Sequence, residues 1–196
     1  GVIRKAVPGF PWQNLPNWLT YVRCLAIPAV VALFYVPNRH VETGCLFAVA
    51  SFTDWLDGYL ARRWDITSPF GAFLDPVADK LMVSTALILL SGRFGMHVVI
   101  PTCINLAREL SVSALREWMA QRGLRDLVKV GFQGKLKTAL TMLTLTLLLL
   151  VPENGLGLLA EIEVPAKILL YLCAGITVTS GSVYFRAAAP ALLKAD

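Results

Sequence analysis

The chain has 196 residues, of which 56% are hydrophobic and 16% charged, with a mean hydropathy of +0.62 and a formal net charge of +5. Soluble domains are less apolar and nearer a quarter charged, so these values exclude an ordinary water-soluble domain. The apolar residues come in blocks, which points to one polytopic membrane domain.

The first 14 residues carry Arg4, Lys5, Pro8, Phe10, Pro11 and Trp12. Basic and aromatic residues ahead of an apolar run predict a juxtamembrane arm on the membrane surface. Six apolar segments follow, at about 15–36, 41–63, 70–90, 96–119, 132–151 and 164–186. Pro37-Asn38 stops the first, Ser91-Gly92 the third and Pro152 the fifth. Each is near the ~17–25 residues that cross a bilayer as a helix. The expected fold is therefore all-α, a polytopic membrane protein with six transmembrane helices over 15–196 behind the arm at 1–14. The second segment is unusual, because its last turns carry Asp54, Asp57, Arg62 and Arg63. It either projects from the bilayer or lines a wet cavity.

Six spans put both termini on one side. On that side fall 15 of the 18 Lys and Arg, with Arg39, Arg93 and Lys167 opposite. The bias places the termini and the aspartates on the cytoplasmic face or its organellar equivalent. Trp12, Trp18, Trp55, Trp64 and Trp118 fall near the same boundary as an aromatic belt. Arg122 to Asp126 reads as a solvated loop. Cys24, Cys45, Cys103 and Cys173 lack metal-ligand spacing and read as small buried hydrophobes. His40 and His97 read as structural or solvated. The basic residues follow topology, so no nucleic-acid partner is expected.

Four aspartates carry the chemistry. Asp54 and Asp57 are i, i+3, and Asp75 and Asp79 are i, i+4, so each pair shares a helix face. Carboxylates gathered at a membrane boundary repel one another, and divalent cations with a taste for hard oxygen ligands relieve this. Gly58 and Ala61 leave room for a ligand, Gly71 allows close helix packing, and Arg62 suits a phosphate. Acids, a metal pair and an arginine suit a diphosphate, and the expected work is two-metal phosphoryl-type transfer. Arg108 lies within the fourth segment, where an unpaired charge is costly, so it has a purpose or a partner, and the bland reading is a structural pair with Glu109 or another acid. Read blandly, Arg116 is interfacial, and Lys135 and Lys137 are ordinary positive-inside residues.

At these positions the chain resembles the CDP-alcohol phosphotransferase family. The family signature D-x2-D-G-x2-A-R-x8-G-x3-D-x3-D is met at Asp54, Asp57, Gly58, Ala61, Arg62, Gly71, Asp75 and Asp79. The likeness runs from Pro16-Asn17-Trp18-Leu19-Thr20-Tyr21-Val22-Arg23 to the last span. Three stretches resemble the branch that uses sn-glycerol 3-phosphate as acceptor. They are Phe73 to Lys80, Arg108-Glu109 with Ala114 to Trp118, and Gly134 to Thr138. The resemblance implies CDP-diacylglycerol as donor, CMP as leaving group, and Mg2+ or Mn2+ as cofactor in a two-metal site. It implies that Asp54, Asp57, Asp75 and Asp79 ligate the metals, and that Gly58, Ala61, Arg62 and Gly71 form the donor site. Asp79 is expected to be the general base, with a metal-bound water as the alternative. Arg108, Arg116, Lys135 and Lys137 would bind the acceptor phosphate, and the Gly-Lys-x-Lys-Thr likeness favours Lys135.

A homodimer in a bacterial, plastid or mitochondrial inner membrane is expected, with its site on the cytoplasmic, stromal or matrix side. One competing reading keeps the family but takes phosphatidylglycerol as acceptor, as a cardiolipin synthase does. A divalent-cation channel or carrier is disfavoured, because its acids should appear at several depths. The topology is open to test. Asp196→Cys and Asn154→Cys, each in a background without native cysteines, should be labelled by an impermeant maleimide from opposite sides. Labelling of both from one side would remove the six-span arrangement.

Overall fold

The computed structural model describes the backbone of residues 15–64, 69–124 and 132–193, and the side chains of 21–53, 73–124 and 136–193. The expected arm at 1–14 and the side chains of Trp12, Trp18, Trp55 and Trp64 lie outside the described residues. Six helices follow in order, α1 (Leu15–Phe34), α2 (His40–Trp64), α3 (Pro69–Phe94), α4 (Met96–Gln121), α5 (Phe132–Leu150) and α6 (Glu163–Leu193). A 3-10 turn, Leu158–Ile162, precedes α6, and no strand occurs among the described residues. Helix α1 packs on α2 and α3, α5 on α2 and α3, α3 on α4, and α6 on both α4 and α5.

Local sequence sets the helix ends. Asn38 takes a left-handed φ of 62° beyond α1, and Gly95 does the same between α3 and α4. The Gly95 N–H bonds to the Ser91 carbonyl at 3.0 Å, so α3 runs past the expected stop at Ser91-Gly92. Gly92 stays helical because nothing there requires a positive φ. After α4, Gly123 (φ 71°) bonds to the Ala120 carbonyl and Leu124 to the Met119 carbonyl. This double closure folds Leu124 back onto the apolar cluster that contains Met119. The expected solvated loop therefore holds for exposed Arg122 and Gly123 but not for Leu124. Arg122 lies over the Trp118 ring at 4.3 Å. Helix α6 continues past Arg186 to Leu193, since Ala188 packs against α4 and the alanines around it favour helix.

The surface carries many large apolar side chains, and the largely apolar interior also holds a polar layer. Leu25, Val49, Phe52, Ile88, Ile100, Leu110, Leu143, Ile168, Leu172 and Val178 are exposed. Arg23, Thr43, Asn105, Lys137, Thr141, Thr144, Thr177 and Ser180 are buried. This arrangement suits a protein solvated by lipid. Helix α4 and the stretch Leu158–Leu193 are each long and apolar enough to cross a bilayer. Helix α2 is unbroken through Asp54, Asp57 and Arg62. At 25 residues it is about 37 Å long, more than the hydrocarbon thickness of about 30 Å. Two cysteine expectations need correction. Cys173 is buried, but Cys45 and Cys103 are exposed, on helix faces that an apolar thiol can present to lipid.

Two apolar clusters form the core. The larger joins Val30, Phe47, Leu87, Leu90, Val98, Leu145, Leu148 and Leu170 from all six helices. The smaller joins Val112, Leu115 and Met119 of α4 to Tyr184 and Ala188 of α6. At the far end Arg93 donates to the Val151 carbonyl at 2.6 Å and lies against the Phe34 and Phe94 rings. It thereby ties α1, α3 and the end of α5 together.

Helices α2 and α5 approach closely at Gly44. A Cβ there would stand 2.6 Å from Leu150 Cδ2 and 3.3 Å from its main-chain nitrogen. Gly175 of α6 has nothing within 4 Å of such an atom. Gly44→Ala should therefore destabilise by about 1–3 kcal/mol, whereas Gly175→Ala should be neutral or stabilising by up to ~1 kcal/mol. Thermal unfolding of both variants in detergent micelles checks the contrast.

Candidate active site

Helix α3 holds two of the motif aspartates one turn apart. Because α1 packs on α3, it brings Arg23 to the first of them. The Arg23 side chain is wholly buried, and its Nη1 donates to Asp75 Oδ1 at 3.2 Å. Asp79, half-buried, lines a cavity between α3, α4 and α5. Asp54 and Asp57 lie on the helical path of α2. Their side chains, with those at Gly58, Ala61, Arg62, Gly71 and Lys135, lie outside the described residues.

Among the described residues no three acidic, histidine or cysteine side chains converge as a metal-ligand group. Asp75 and Asp79 supply two of the expected ligands. Carboxylate oxygens are hard donors, so those present fit a magnesium- or manganese-type ion in donor chemistry.

The cavity measures about 50 Å³, room for roughly three to four water-sized groups. Asp79 and Lys80 of α3, Asn105 and Glu109 of α4, and Lys137, Thr138 and Thr141 of α5 form its polar walls. Val83, Leu87 and Leu106 close its apolar side. Thr141 Oγ1 is buried with no hydrogen-bond partner among the described residues.

Glu109 is the hub of the charges. Its Oε2 accepts from Lys137 Nζ and from Arg108 Nη1, each at 3.1 Å. Lys80 Nζ donates to Ser113 Oγ at 2.6 Å, and that hydroxyl donates to the Glu109 carbonyl at 2.7 Å. Arg108 turns towards α6. Its Nη2 donates to Ser180 Oγ at 3.1 Å and its guanidinium stands 5.8 Å from the Tyr184 ring. One turn earlier Thr177 donates to Asn105 Oδ1 at 2.9 Å. This polar layer lies between the two apolar clusters.

The structure thus brings Arg108 and Lys137 together through Glu109, and brings Lys137 and Asp79 to one cavity. Arg108 does not line that cavity. Arg116 is exposed two turns farther along α4 and does not line it either. Lys137 is only 7% exposed, so it is not an ordinary positive-inside residue snorkelling to water. Sequence reasoning left out Lys80 and Arg23 as site residues and took Glu109 only as a structural partner. The signal was present, because each is an ionised residue in an apolar segment. Ser180 gave no signal at all.

A second layer of information comes from known proteins. The chain belongs to the CDP-alcohol phosphatidyltransferase family, whose model matches residues 13–179. The family is transferase in character and generally depends on a divalent metal. A relative from Sodalis glossinidius is 44% identical over 181 residues, covering 89% of this chain and 94% of that protein. One from Yersinia enterocolitica is 43% identical over 184 residues, covering 92% and 98%. One from Haemophilus influenzae is 44% identical over 183 residues, covering 92% and 96%. All three bear the name CDP-diacylglycerol–glycerol-3-phosphate 3-phosphatidyltransferase.

The polar layer yields a stability contrast. Thr177→Val leaves Asn105 Oδ1 without its donor and should cost about 1–3 kcal/mol, whereas Thr141→Val removes an unpartnered hydroxyl and should be neutral or stabilising. Unfolding midpoints of the two substrate-free variants, compared with wild type, measure this.

Proposed function

We propose that this chain transfers the phosphatidyl group of CDP-diacylglycerol to sn-glycerol 3-phosphate, releasing CMP and forming phosphatidylglycerophosphate. The observation that carries the reading is a single cavity with Asp79 and Lys80 on the α3 wall and Lys137 on the α5 wall. A carboxylate suits an alcohol proton and paired cations suit a phosphate monoester, and this acceptor presents both. The names of the bacterial relatives support the same acceptor.

The acceptor hydroxyl oxygen forms a bond to the phosphatidyl phosphorus while the bond from that phosphorus to the CMP oxygen breaks. Asp79 takes the hydroxyl proton at a carboxylate oxygen. Lys80 and Lys137 hold the acceptor phosphate, and Lys135 and Arg116 are further candidate cations for it. Gly58, Ala61, Arg62 and Gly71 hold the cytidine diphosphate part, close helix packing leaving room for it. Asp54, Asp57, Asp75 and Asp79 are the residues that would hold Mg2+ or Mn2+. Two such ions, when bound, would neutralise charge on the attacked phosphate and the leaving group. Arg23 keeps the Asp75 carboxylate in place from α1.

The same reading places residues 1–14 on the membrane surface ahead of a catalytic domain at 15–196. It places the enzyme as a homodimer in a bacterial, plastid or mitochondrial inner membrane, its site facing cytoplasm, stroma or matrix. The basic asymmetry of the sequence supports that orientation.

Purified protein should release CMP from CDP-diacylglycerol with glycerol 3-phosphate and yield phosphatidylglycerophosphate. Chelator should abolish turnover, and Mg2+ or Mn2+ should restore it. CMP release with phosphatidylglycerol instead would reassign the acceptor, and full turnover in chelator would remove the metals from the mechanism.

A further inference from the structure

The charged layer around Glu109 poses a problem for any anion-binding role of the cavity. Glu109 lines the cavity, and a carboxylate beside an anion site weakens anion binding by direct repulsion. Yet both charged groups on its Oε2 are cations in poorly hydrated positions, with Lys137 9% and Arg108 13% exposed at the side chain. Without the carboxylate these two cations repel each other. Lys137, on a flexible four-carbon stem, is the one free to swing away.

Arg108 has no such freedom. Its stem lies against Gly181, where a Cβ would stand 3.2 Å from Arg108 Cγ. Its guanidinium is held by Ser180 on one side and faces the Tyr184 ring on another. These three α6 positions form a seat in which a Cβ at 181 would press on the Arg108 stem by a few tenths of an ångström. They also lie just beyond residue 179, where the family match ends.

We propose that Glu109 is a positioning residue for Lys137, braced by Arg108 in its α6 seat. In this arrangement α6 sets acceptor affinity without touching the acceptor. The chain of contacts runs from Ser180 and Gly181 to Arg108, then to Glu109, then to the Lys137 ammonium on the cavity wall. Ser113 adds the third cation, because it links Lys80 to the Glu109 main chain.

The inference rests on the proposed acceptor, and the sign of one change tests it. If Glu109 were only a charge beside the site, removing it would tighten anion binding. If it positions Lys137, removing it weakens anion binding. Kinetics of wild type, Glu109→Ala, Glu109→Gln and Ser180→Ala should be compared under one lipid condition. Glu109→Ala should raise KM for glycerol 3-phosphate on the order of tenfold, with KM for CDP-diacylglycerol within about twofold. Glu109→Gln keeps an accepting oxygen and should recover part of the loss. Ser180→Ala should move the acceptor KM the same way, about two- to fivefold. An unchanged or lowered acceptor KM in the Glu109 variants, an equal rise in both KM values, or no effect of Ser180→Ala would overturn the proposal. Should Glu109→Ala fail to fold, Glu109→Gln and Ser180→Ala carry the same sign test. Calorimetric titration of inorganic phosphate into each protein reads the inference without reference to turnover. Product identification with the wild type reads the acceptor assignment by itself, so failure of one is not failure of the other.

Discussion

An ionised side chain inside a membrane protein must find a partner, because the surrounding hydrocarbon offers none. Even on the mildest insertion scales a central Arg, Lys or Asp costs about 2.5–3.5 kcal/mol. This chain carries Arg23, Asp79, Lys80, Arg108, Glu109 and Lys137 within its helices. Each that donates or accepts across helices dictates which helices must touch. Arg23 and Asp75 bind α1 to α3, Lys80 and Ser113 bind α3 to α4, and Glu109 and Lys137 bind α4 to α5. Arg108 and Ser180 complete the circuit to α6.

Apolar packing alone would not select this arrangement, since lipid tails are as apolar as leucine. What packing supplies is close approach. Gly44 admits Leu150 between α2 and α5, and Gly181 admits the Arg108 stem between α6 and α4. The two apolar clusters then lie on either side of the polar layer along the helices. A cavity lined by hydroxyls, an amide and charges persists there because its walls bond to one another.

The division of labour follows from the helix order. The motif positions span the end of α2 and the start of α3, whereas the cavity cations come from α3 and α5 and their bracing from α4 and α6. Asp79 stands at the junction, since α3 belongs to both groups.

Length, hydropathy blocks and the eight motif positions made the class, the helix count and the aspartates legible from sequence, because these are local or periodic properties of the chain. Asp75 and Asp79 share a face by helix geometry alone. Ends were less legible, since the stop at Gly95 rather than Gly92 depends on which glycine takes a positive φ. The long-range partners were not legible. Lys137 was legible as a candidate cation, but nothing local marks Glu109 as its partner, 28 residues away. Nothing marks Ser180 as a partner of Arg108, 72 residues away. Spacing along one helix is set by the backbone, but pairing between helices depends on which faces meet. That was decided only when the buried charges of four helices, with the Ser180 hydroxyl of α6, had to be satisfied together.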